Sequence, residues 1–101
     1  MKGGLYVRFF QIAQIKILRD FKCQICSTFI LKRDGTPYIE AAHITPKHKK
    51  GQEMPDNILL LCPNHHKEFD LGNLVIHSQN NDSLHFTLNG KEYKLQTGTK
   101  Y

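Results

Sequence analysis

Cys23-Gln24-Ile25-Cys26 and Asn57-Ile58-Leu59-Leu60-Leu61-Cys62-Pro63-Asn64-His65-His66 decide how this chain folds. They carry the two halves of a matched pattern, Cys23-X-X-Cys26 and Cys62-X-X-His65, and a second histidine follows directly. Zinc takes thiolate and imidazole ligands in tetrahedral array, and a C-x-x-C knuckle presents two sulfurs from a single turn. Cys23, Cys26, Cys62 and His65 therefore read as a closed structural zinc site, which leaves His66 for other work. Between the pairs lie Glu40-Ala41-Ala42-His43-Ile44 and Asn57, so His43, Asn57 and His66 follow in order around the staple.

A chain of 101 residues is expected to form a single domain over 1–101. Hydrophobic residues make up 40% and Trp is absent, so the core alone is thin and a staple adds to it. Zinc binding in small zinc peptides is worth roughly 10–16 kcal/mol, more than most domains' entire stability. The three cysteines cannot all pair with one another, which favours metal binding in a reducing cytoplasm. No apolar run reaches membrane length and no signal-peptide core opens the chain; the expectation is a soluble, cytoplasmic protein without a membrane partner.

The formal charge is +5, and its distribution is uneven. Residues 1–33 hold seven Lys or Arg against one Asp, whereas residues 51–101 hold four Lys against six acids, so the front half is the basic one. A site of three thiolates and one neutral His carries −1 with its zinc, which leaves the protein at about +4. That balance is compatible with a polyanionic partner and equally with a solvated surface.

Leu5 to Phe21 reads as a helix, with Phe9, Ala13, Ile17 and Phe21 on an apolar stripe and Arg8, Lys16 and Arg19 solvated beside it. Phe29–Leu31 and Tyr38–His43 read as the strands of a hairpin turning at Asp34-Gly35. Thr45–Asn57, with Pro46, Gly51 and Pro55, reads as a loop. Pro63 suits a first helical turn, so Asn64 to about Leu71 is expected to be a helix ended by Gly72. Three strands follow over residues 73–96, at Leu74–His77, Leu84–Leu88 and Lys91–Leu95, the last two joined by an Asn89-Gly90 type I′ turn.

Taken together, the Cys23–Cys26 knuckle, the Glu40-Ala41-Ala42-His43-Ile44-Thr45-Pro46 run and the Asn57–His66 run resemble the zinc-stapled HNH endonucleases, with Phe69-Asp70-Leu71-Gly72 similar to restriction and modification-dependent members. The resemblance covers about residues 21–72. It implies an α+β fold: a ββα-metal core with structural zinc knuckles, here flanked by an N-terminal helix and a C-terminal β-meander. It also implies metal-dependent hydrolysis of DNA phosphodiester bonds.

Such hydrolysis needs a water, a base to deprotonate it, and positive charge on the phosphate oxygens. An ordinary imidazole is largely neutral at pH 7, and the resemblance gives His43 the role of general base. It makes His66 a ligand of the catalytic metal, magnesium or manganese, unless His66 exchanges places with His65 at the zinc. Asn57 then either braces the base-bearing loop or contacts that metal.

Many members carry Asp or His just before the base, where this chain has Ala42. Glu40 shares the strand face of Ala42, and Asp70 shares the helix face of His66, so either is a candidate replacement ligand. Lys47, Lys49 and Lys50 follow the base and are candidate DNA phosphate contacts. The alternative to a nuclease is a non-catalytic zinc-stapled module that binds DNA or protein; it would need the four zinc ligands but not His43, Asn57 and His66. A C-x-x-C redox protein fits poorly, for lack of βαβ context. The chain suits a homodimer or one domain of a larger restriction protein.

Overall fold

Four consecutive apolar residues, Ile58–Leu61, are all buried and form strand β4 at the centre of the fold. The computed structural model describes residues 12–45 and 54–98. Before β4 come helix α1 (Ile12–Leu18), strands β1 (Ile30–Leu31), β2 (Pro37–Tyr38) and β3 (Glu40–His43), and a 3-10 turn at Pro55–Asn57. After it come helix α2 (Pro63–Leu71) and strands β5 (Leu74–Gln79), β6 (Ser83–Leu88) and β7 (Lys91–Gln96). This is the small α+β architecture expected. Residues 5–11 of the expected helix, with Arg8 and Phe9, and the lysines Lys47, Lys49 and Lys50 lie outside the described residues.

The strand expected over Tyr38–His43 divides between two partners. Pro37 and Tyr38 pair with Leu31 and Ile30, while Glu40–His43 runs antiparallel to β4 with Glu40 opposite Leu61 and His43 opposite Ile58. Ile39, between them, is almost wholly buried and marks the change of sheet. The split has a physical cause: β1 offers only two residues, whereas β4 offers four whose side chains all need burial. Both faces of β4 are covered, which explains its unbroken apolar run.

Helix α1 turns a different face inward from the one expected. Ile15 is completely buried, but Ala13 is exposed and Ile17 is 64% exposed. Ile12, Ile15 and Arg19 follow helical spacing as well as the expected stripe does, and Arg19 decides between the two. Its guanidinium donates to Gln24 Oε1 (2.9 Å), Ile58 O (2.7 Å), Pro55 O (3.0 Å) and Thr97 O (2.9 Å). Arg19 is thus a structural clamp and not the solvated residue expected from sequence. The helix ends with Asp20 N bonded to Ile17 O and Phe21 N to Lys16 O, Asp20 holding the left-handed position at φ 59°.

Helix α2 begins with Pro63 directly after Cys62 and stops at Gly72, one residue longer than expected. Gly72 is required by contact: a Cβ there would meet Glu68 O at 2.6 Å and Asn89 Nδ2 at 2.8 Å. The last three strands form the expected meander, β5-β6-β7, with β5 bulged between Ile76 and Ser78. Asn89 and Gly90, at φ 50° and 82°, make its β6–β7 turn, both left-handed as type I′ demands. Leu84, Phe86 and Leu88 alternate into the core, and Phe86 meets the Phe69 ring of α2 edge-on with centroids 5.6 Å apart. The meander is thereby packed against the helix that carries His65 and His66.

Candidate metal centre and active site

The C-x-x-C knuckle is built by local bonds. Cys23 N donates to Thr28 O, Ser27 N donates to Cys23 O, and Ser27 takes a left-handed φ of 65° that folds the turn back. Gln24 fastens it to β4: its N–H donates to Leu60 O and its Oε1 accepts from Leu60 N, both at 2.8 Å. Cys62 lies across from the knuckle at the entry to α2, and His65 projects from the first turn.

The ligand atoms of Cys23, Cys26, Cys62 and His65 all lie within 4.8 Å of one another. His65 Nδ1 is 3.6 Å from Cys23 Sγ and 3.3 Å from Cys62 Sγ, and Cys26 Sγ is 3.9 Å from Cys62 Sγ. A tetrahedral zinc with ordinary bond lengths sets its ligands about 3.5 Å (S to N) and about 3.8 Å (S to S) apart. The donor set and spacing fit that ion. Burial raises the Cys23 thiol above its ordinary value. For Cys26 burial also pushes upward, but hydrogen bonds from the Thr28 hydroxyl and amide, and then from the Cys23 and Cys62 thiols, bring it down to about 6. Of these two thiols, Cys26 is the better prepared to lose its proton.

His43 closes β3, half-buried, with its Nε2 shielded from solvent. The chain after it is held by Asn57: Ile44 N donates to Asn57 O, Thr45 N donates to Asn57 Oδ1 (2.8 Å), and Asn57 Nδ2 donates to Thr45 O (3.0 Å). Both ends of the Asn57 amide are engaged by one backbone residue, two positions beyond His43. Asn57 itself is fixed in place, because it ends the Pro55–Asn57 turn that Arg19 grips through Pro55 O and Ile58 O.

Glu40, His66 and Asp70 come together where β3 meets α2. His66 Nδ1 donates to Glu40 Oε1 at 2.7 Å, since a carboxylate has no proton to give. On the ring's other side Nε2 stands 3.4 Å from Asp70 Oδ2. A ring with its Nδ1 proton on Glu40 turns the Nε2 lone pair towards the Asp70 carboxylate, so the two acceptors are placed where they could share a cation. The Glu40 carboxyl lies below the ordinary carboxylate value, through the His66 bond first and the Tyr38 bond second. Ala42, on the same strand face, is buried and offers no ligand.

Two contributors were not apparent from the sequence. Tyr38 donates its hydroxyl to Glu40 Oε2 at 2.8 Å, so both carboxylate oxygens of Glu40 are engaged. The spacing of two in an extended segment was a signal for that pair. Arg19 had no such signal, since its partners are mostly carbonyls far along the chain.

Comparison with known proteins points to one family. The HNH endonuclease family profile matches residues 23–77. The chain is 36% identical over 59 residues to the type IV methyl-directed restriction enzyme EcoKMcrA of Escherichia coli strain K12, a match covering 58% of this chain and 16% of that protein. Among solved structures, the modification-dependent TagI restriction endonuclease superposes with a TM-score of 0.60 at 30% identity, over 87% of this chain and 30% of the other. Both relatives are much longer than the matched region.

Proposed function

The chain belongs to the HNH endonuclease family, and from that premise we propose that it hydrolyses DNA phosphodiester bonds with one structural zinc and one catalytic divalent cation, magnesium or manganese. The zinc is assigned to Cys23, Cys26, Cys62 and His65, as the tetrahedral spacing supports. The catalytic ion is assigned to His66 Nε2 and Asp70 Oδ2. Their 3.4 Å separation is close to the roughly 3 Å between neighbouring ligands of an octahedral ion. Two protein ligands suffice for such a cation, which keeps several waters and takes substrate phosphate oxygens. Once bound, it supplies positive charge to the oxygens that grow more negative in the transition state.

The remaining work falls to side chains. His43 accepts the proton of the attacking water. Asn57 holds the strand exit behind His43, so the base does not drift relative to α2. Glu40 keeps the Nδ1 proton of His66 and thereby presents Nε2 to the ion, an arrangement common where histidine binds metal. The observation that carries this reading is the His66 ring itself, bonded on one nitrogen by Glu40 and facing Asp70 with the other.

The restriction-enzyme relatives support DNA as the substrate. The single domain over 1–101 is proposed as the nuclease module, acting as a homodimer or within a larger restriction protein. Lys47, Lys49 and Lys50 are proposed to meet the phosphate backbone. The cytoplasm is the proposed location; among the described residues no helix is long and apolar enough to cross a membrane.

The test is cleavage of supercoiled plasmid in magnesium or manganese, with a chelator control too weak to strip zinc. His43→Ala is expected to keep its zinc and its fold while losing about 100-fold or more in rate, the scale of a general base. Wild-type cleavage by that variant, or cleavage indifferent to the divalent ion, refutes the assignment.

A further inference from the structure

We propose that Tyr38 is a positioning residue for the catalytic cation: its hydroxyl holds Glu40, and Glu40 holds His66 with Nε2 turned towards the ion. The inference rests on the reading of His66 as a ligand. A carboxylate bonded through one oxygen can still swing about its last side-chain bond. Here Oε1 accepts from His66 Nδ1 at 2.7 Å and Oε2 accepts from the Tyr38 hydroxyl at 2.8 Å, so the plane of the group is set from both ends. With both oxygens engaged, the Glu40 carboxylate is fixed against the histidine.

The origin of the tyrosine adds weight. Tyr38 lies on β2, paired with Ile30 of β1, whereas Glu40 begins β3, paired with Leu61 of β4. Between them Ile39 is buried to 1% exposure and fixes the backbone, which leaves the two flanking side chains on a common side. Tyr38 is 38% exposed and stays outside the core cluster. Its hydroxyl can therefore be removed without opening a cavity, and the contact it makes is with the carboxylate that orients the ligand. The small β1–β2 hairpin thus has a purpose at the site, although it supplies no ligand.

The experiment measures Mn2+ binding to the zinc-loaded chain by electron paramagnetic resonance, for wild type, Tyr38→Phe, Glu40→Ala, the double variant and His66→Ala. Loss of a group that supports a metal ligand typically weakens affinity about 10- to 100-fold. Tyr38→Phe, one step further out, is expected at the lower end, about 10-fold, with zinc content unchanged. The double variant is expected to bind no more weakly than Glu40→Ala alone, because the hydroxyl acts only through that carboxylate. Wild-type affinity in Tyr38→Phe, or a full further loss in the double variant, overturns the relay. If His66→Ala binds Mn2+ as wild type does, the ligand assignment fails and the relay with it. If His66→Ala loses binding while Tyr38→Phe does not, only the relay falls.

Discussion

Replacing Asn57 separates two roles that its place in the sequence leaves equal, a brace for the base-bearing loop and a ligand for the cation. Asn57 is buried at 8% exposure, and its amide makes two bonds to the Thr45 backbone, one accepted from N and one donated to O. Each bond is worth about 1 kcal/mol net, so Asn57→Ala should cost about 2 kcal/mol, and more if Thr45 N and O find no water. Asn57→Asp keeps the bond from Thr45 N but turns an anionic oxygen on Thr45 O, and it buries a charge. Its cost should equal or exceed that of Ala. Urea unfolding at saturating zinc measures both losses, and a titration of plasmid cleavage with Mn2+ measures the site. The brace predicts a fall of at least about 10-fold in rate at saturating metal, since a slightly misplaced base is costly, with the half-saturating Mn2+ concentration unchanged. A ligand predicts the reverse pattern. If Asn57→Asp cleaves at the normal rate and binds Mn2+ more tightly, the bracing argument is wrong.

Cys62→Ser should release zinc and unfold most of the domain, since Cys62 joins the knuckle to the start of α2; a well-folded zinc-free variant, seen by metal analysis and circular dichroism, contradicts this. Arg19→Met should destabilise by about 2–4 kcal/mol in urea, because it takes the guanidinium away from the carbonyls of Ile58 and Thr97 while Pro55 O keeps the Ile58 N–H, and a loss under about 1 kcal/mol would mean that water replaces the guanidinium readily. Glu40 has a folded value below its ordinary 4.5, so its contribution to stability is present above that pH and disappears as pH falls through the depressed value. The melting-temperature gap between wild type and Glu40→Gln should accordingly be full at neutral pH and close in acid; a gap independent of pH refutes that linkage.

Features whose information is local are legible in the sequence alone. The Cys23–Cys26 and Cys62–His65 spacings, the Pro63 start and Gly72 end of α2, and the Asn89-Gly90 turn each encode their geometry within a few positions. Strand β4 is hidden there because Ile58–Leu61 is buried on both faces and so lacks the alternation that marks a half-exposed strand. The inward face of α1 is ambiguous because Ile12, Ala13, Ile15, Ile17 and Leu18 nearly encircle it; the choice is made by Arg19 reaching carbonyls 36 to 78 residues away. At the site, Asp70 is visible as a helical neighbour of His66. The direction of Glu40, towards the histidine and held by Tyr38, is a tertiary fact that depends on β3 leaving the β1–β2 hairpin to pair with β4.

The adjacency of His65 and His66 ties the cluster of three cysteines and His65 to the proposed catalytic-ion site. Successive residues on a helix project about 100° apart, so one turn of α2 presents His65 to the sulfurs and His66 to Glu40. Neither ring can be re-aimed alone. The same coupling extends through β4: Gln24 in the knuckle bonds to Leu60, whose strand pairs with the segment bearing Glu40 and His43. Loss of the staple would release the knuckle and the first turn of α2 together, and the Glu40–His66 contact depends on the distance between β3 and that turn. A zinc held by the Cys23, Cys26, Cys62 and His65 cluster, though it would take no part in the proposed chemistry, would thereby set the aim of the histidine that is proposed to bind the catalytic ion.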